Sequence, residues 1–119
     1  MDADLFVEMV DKLAFESAVS STLKNMTSPP GSRPSAELLE LSRWFNELSN
    51  EAKKMVEHAI SLSAAHAVTG FLSIIDGARA IESGPDKGRL ELLYVKRETR
   101  VLLNDRHREP LNDKFHWQW

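Results

Sequence analysis

Arg89-Leu90-Glu91-Leu92-Leu93-Tyr94-Val95 is the stretch on which the fold class turns. Leu90, Leu92 and Tyr94 alternate with Arg89, Glu91, Leu93 and Val95, the two-residue repeat of a strand. The long segments before Gly84 carry instead the three-to-four-residue repeat of helices. Lys96-Arg97-Glu98-Thr99 is a polar gap of hairpin length, and Arg100-Val101-Leu102-Leu103 reads as a second strand. A lone hairpin is marginal in water, so this one is expected to pack on the helices. The expected fold is α+β: three helices, the third longest, packed on a two-stranded antiparallel β-hairpin near the C-terminus. One domain spans 1–119, with a helical part at 1–83 and the hairpin and an aromatic tail at 89–119.

Working back from the hairpin, Gly84-Pro85-Asp86-Lys87-Gly88 ends the helical part. The third helix carries Met55, Val56, Ala59, Ile60, Ala67, Val68, Phe71, Leu72 and Ile75. Ser49 or Asn50 caps its start, and it ends at Gly77 or runs on through Ala78 and Ile81. Its middle shrinks to Ser61, Ser63, Ala64, Ala65, Ala67 and Gly70, where the first helix is expected to cross. A second helix follows Pro34 with Ser35 as N-cap and Leu38, Leu41, Trp44, Phe45 and Leu48 on its apolar side. The first places Leu5, Phe6, Met9, Val10, Leu13, Val19 and Leu23 along one face and ends before Ser28-Pro29-Pro30. Core positions expected from these patterns are Leu13, Leu41, Phe45, Val56, Ile60, Val68, Phe71, Leu72, Ile75, Leu92 and Tyr94.

The chain has 119 residues and no cysteine, which removes disulfides, thiolate metal sites and cysteine nucleophiles. The acidic start Met1-Asp2-Ala3-Asp4 is unlike a signal peptide, and a cytoplasmic location is expected. The weakly charged run 59–75 is shorter than the roughly 20 residues of a spanning helix and is interrupted by polar groups, so a buried helix and no membrane contact are expected. Residues 1–88 hold eight basic and thirteen acidic groups, and residues 89–119 hold seven and five. The hairpin region has Lys96, Arg97, Arg100, Arg106 and Arg108, but the net charge is −3 and no recognition-helix pattern exists, so nucleic acid is not an expected partner.

Histidines 58 and 66 share a helix face about 12 Å apart by helical rise, too far to ligate one ion, and neither a metal nor another cofactor is expected. Asp76 closes the apolar run Phe71-Leu72-Ser73-Ile74-Ile75, where a carboxylate either faces water or pairs, and Arg79 follows one turn later. No Gly-x-Ser-x-Gly or phosphate-loop pattern occurs. Two tryptophans, Trp117 and Trp119, end the chain and need cover from the core or from a partner. Candidate binding residues are therefore Asp76, Arg79, Arg97, Arg100, Trp117 and Trp119, with no catalytic set.

The segment from Ile75-Asp76-Gly77-Ala78-Arg79-Ala80-Ile81-Glu82 through Leu90-Glu91-Leu92-Leu93-Tyr94-Val95 to Leu102-Leu103-Asn104-Asp105 and Leu111-Asn112-Asp113-Lys114-Phe115 resembles short uncharacterised bacterial proteins. Some such proteins are immunity proteins beside secreted toxins. The resemblance implies a bacterial accessory role and supplies no functional residues. The expected function is a small non-catalytic protein-binding module, in its sharper form an immunity-type inhibitor whose acidic helices meet a basic toxin. The alternative is a small hydrolase using Asp76 with a histidine. The partner is another protein or the chain itself as a homodimer, since Leu62 and Ile74 lie off the main stripe of the third helix and the hairpin has free edges.

Overall fold

The computed structural model describes residues 1–117. Helix α1 is one rod in three consecutive parts: α-helical Ala3–Val10, π-helical Asp11–Glu16 and α-helical Ser17–Thr27. Helix α2 is Ala36–Asn46, α3 is Asn50–Asp76, and a short α4 is Leu111–Lys114. Strands β1 (Leu93–Lys96) and β2 (Thr99–Leu102) pair antiparallel, with Tyr94 opposite Val101 and Val95 opposite Arg100. Among the described residues the fold is α+β with a two-stranded sheet and four helices rather than three. The extra one is a single turn inside the tail, too short to show a period.

Side-chain caps set the helix starts: Asp2 accepts the Leu5 amide, Ser35 that of Leu38 and Ser49 that of Ala52. Helix α3 stops at Gly77, whose φ of 81° is the left-handed conformation that closes a helix end. Ala78 donates back to the Ser73 carbonyl and Gly77 to that of Ile74, which satisfies carbonyls the helix would leave unpaired. Asn46 does the same for α1 from a distance, donating to the Thr27 carbonyl at 3.1 Å and so tying α2 to the end of α1.

The π-helical part of α1 decides which residues form the core. Each residue of a π-turn advances less around the axis than in an α-turn, so side chains beyond Val10 fall back relative to a regular helix. Phe15 and Met26 thereby share the buried side with Val7, while Leu13 turns outward and is 75% exposed. The core cluster is Val7, Phe15, Ala65, Leu72, Ile75, Leu111 and Phe115, with Phe6, Val19, Val68, Leu92 and Trp117 packed around it. As expected, α1 lies against the small-residue part of α3, with Phe15 and Ala65 in one cluster.

Among the expected core positions, Phe45, Leu72 and Ile75 are buried and Val56, Ile60, Val68, Leu92 and Tyr94 are partly so. Leu13, Leu41 and Phe71 are exposed, a correction with two causes. The π-helical part moves Leu13, and Phe71 lies on a side of α3 away from the core cluster. The hairpin also differs from expectation. Its strands do not lie on the helices: of their eight residues only Tyr94 and Val101 are half-buried, and these face each other. The hairpin docks through its base, where Leu103 is buried, Leu92 touches the core, and the Leu103 amide donates to the Leu92 carbonyl.

Candidate functional site

Of the residues singled out by the sequence, Asp76 is a structural clasp. One carboxylate oxygen accepts the Leu111 amide at 2.9 Å and the other the Asn112 amide at 2.8 Å. These are the first amides of α4, which lack partners within their own helix. Asn104 makes the matching clasp on the hairpin. Its oxygen accepts the Leu92 amide, and its nitrogen donates to the carbonyls of Ile75 and Leu90, each at 2.8–2.9 Å. The end of α3 is thus bonded by side chains to both the hairpin base and α4. Sequence reasoning passed over Asn104, although its place directly after the second strand was the available signal.

Beside these clasps lies a cavity of about 360 Å³ lined by Asp76, Arg89, Glu91, Asn104, Arg106 and His107 among others. It does join Asp76 to a histidine. A neighbouring hollow of 350 Å³ shares Arg89 and Arg106 and adds Arg79 and Lys87. The acids here are engaged: Asp76 with two amides, Glu82 with the Gly88 amide at 3.2 Å, and Glu91 with Arg89 at 3.8 Å. Among the described residues no group of three His, Asp or Glu converges as a metal site would require.

The other candidates do not gather. Arg79 is exposed, with its guanidinium resting where a side chain on Gly70 would stand. Arg97 occupies the hairpin turn at φ 54° and Arg100 lies exposed on β2. Trp117 is half-buried, its ring 6.3 Å from that of Phe15, which itself meets Phe115 edge-on at 5.6 Å. Trp119 lies outside the described residues.

The larger feature is the surface left uncovered. A folded monomer of 13.5 kDa exposes about 6,500 Å². This chain exposes 8888 Å², about 2,400 Å² more than that scaling gives. Its radius of gyration of 18.4 Å exceeds the roughly 13.5 Å of a compact domain of this length. Several large apolar side chains lie on that surface: Met55 at 65%, Phe71 at 63%, Trp44, Leu62, Leu39 and Leu41 are all exposed. The expectation of a buried central helix therefore holds for one side of α3 only. By length and composition α3 could cross a membrane, with a mean hydropathy of 1.4 over an 18-residue window that is one-third buried.

Comparison of the chain with models of known families, with curated protein sequences and with solved structures finds no match.

Proposed function

We propose that this chain is a small non-catalytic protein-binding module. The observation that supports the reading is the excess of exposed surface, with Met, Leu, Phe and Trp side chains on it, on a chain whose α3 end and hairpin base are closed by well-made polar clasps. Patches of this kind on a soluble chain mark contact with another macromolecule. In its sharper form the reading is an immunity-type inhibitor. Glu37, Glu40, Glu47, Glu51 and Glu57 are exposed on α2, α3 and the turn between them, and they would steer a basic toxin toward the apolar surface.

Affinity recovery of the tagged chain from its native cells, at low and high salt, tests the reading. A stoichiometric protein companion that persists at high salt is expected, because apolar contact is not screened by ions. A chain recovered alone and monomeric at both ionic strengths overturns it. The inhibitor form further requires that co-expression rescue cells from the toxin encoded beside it.

The cavity joining Asp76 to His107 favours a second reading, a hydrolase. Against it stands the engagement of both Asp76 oxygens by backbone amides. Turnover of ester or phosphoester substrates that is lost in His107→Gln would sustain it, and absence of turnover removes it.

A further inference from the structure

We infer that the companion of the α3 outer face is a second copy of this chain, the two α3 helices crossing about a two-fold axis at Ser63. The inference rests on the protein-binding reading and names its partner. Met55, Ala59, Ser63, Ala67 and Phe71 are spaced by four and are all exposed, so they form one continuous ridge along α3, flanked by Leu62. No Asp, Glu, Lys or Arg occurs between Glu57 and Asp76, and the Arg79 guanidinium, which rests over Gly70 beside the ridge, is the free end of an exposed side chain that the second copy would displace. The ridge is large at both ends and small in the middle, and it reads the same in size from either end. A surface of that form is complementary to itself when inverted. An antiparallel crossing at Ser63 lets the two backbones approach across Ala59, Ser63 and Ala67, and it sets Met55 of each copy beside Phe71 of the other. That correspondence is what a two-fold interface requires.

The area agrees. Obligate homodimers bury roughly 2,000–5,000 Å² in total, or about 1,000–2,500 Å² from each copy. The surface this chain exposes beyond a monomer of its mass, about 2,400 Å² over the whole chain and not on α3 alone, is large enough to supply that share. A membrane is the poorer occupant. Phe15 of α1 shares one core cluster with Ala65 of α3, and α1 carries Glu8, Asp11, Lys12 and Glu16 within about two turns of Phe15. A bilayer surrounding α3 would have to take in those charges as well.

Because the chain has no cysteine, single cysteines report the geometry directly. Light scattering of the purified chain at micromolar concentration is expected to give twice 13.5 kDa. Ser63→Arg, at an exposed position, is expected to give monomer with unchanged far-UV circular dichroism. Oxidation is expected to cross-link Ser63→Cys with itself. Met55→Cys is expected not to cross-link with itself, since the two copies of residue 55 lie about 24 Å apart by helical rise, but to cross-link when mixed with Phe71→Cys. A monomeric mass overturns the inference, and so does a dimer that survives Ser63→Arg and leaves Ser63→Cys uncross-linked. If the monomer nevertheless binds a different protein in the native-cell recovery, the self-association fails and the protein-binding reading stands. Recovery in the membrane fraction, with α3 shielded by lipid, overturns both.

Discussion

Asp76 and Leu111 lie 35 positions apart in the chain, and the carboxylate of the first accepts the backbone amide of the second at 2.9 Å. The other oxygen takes the next amide, Asn112, so the last residue of α3 caps the first turn of α4. Asp76→Ala should therefore destabilise the fold by about 2–3 kcal/mol, since two amides lose a charged acceptor. Asp76→Asn, which keeps one acceptor oxygen, should cost roughly half as much. Urea unfolding monitored by circular dichroism measures both. A midpoint unmoved by Asp76→Ala would show that the clasp contributes nothing.

Asn104→Ala removes three hydrogen bonds at once, to Leu92, Ile75 and Leu90. At about 1 kcal/mol for each, the expected loss is about 3 kcal/mol. Amide exchange at Leu92 should accelerate beyond what the global loss of stability explains, because the hairpin is joined to α3 at this point. Asn104→Asp should also destabilise, since it keeps the acceptor for Leu92 but sets a carboxylate against two carbonyls.

Two glycines of α3 and its end should respond to alanine in opposite directions. Gly77 has open space around it but a φ of 81°, so Gly77→Ala strains the backbone and should cost about 1 kcal/mol. Gly70 has ordinary helical geometry, and a Cβ there would stand 2.9 Å from the Arg79 guanidinium, the free end of a flexible side chain. Arg79 can move aside, and Gly70→Ala should stabilise by up to about 1 kcal/mol through helix propensity. Thermal melts of the two variants compare them directly.

Lys114 joins Asp4 at 2.6 Å and Glu109 at 3.2 Å, and these hydrogen bonds raise its pKa above the ordinary 10.5. A raised folded-state pKa gives stability that is fully present below the unfolded value and is lost as pH climbs through the folded one. Between pH 7 and 9 the contribution should be constant, and it should decline above 10.5. Melting temperatures of the wild type and Lys114→Met should therefore differ at neutral pH and converge in strong alkali. A constant difference across that range would contradict the pairing.

Local chemistry made much of this chain legible. Ser35 and Ser49 cap the helices they precede, Gly77 ends α3, and Lys96 to Thr99 carry the hairpin turn. Each depends on one or two residues and their neighbours, which is the range over which a sequence speaks for itself. The π-helical part of α1 was hidden for the same reason. Residues 11–16 carry no distinctive composition, and the wide turn goes with the placement of Phe15 in the core cluster, edge-on to Phe115.

The sequence by itself determined the alternation of helices and hairpin, and it also marked Asp76 as a carboxylate that must pair or face water. Only the tertiary structure decided that its partners are the Leu111 and Asn112 amides, that Phe15 rather than Leu13 enters the core, and that one side of α3 stays bare. The physical reason is that periodicity records which side chains are apolar, not what covers them. Helix α3 is apolar on two sides, and among the described residues α1 and α4 cover one.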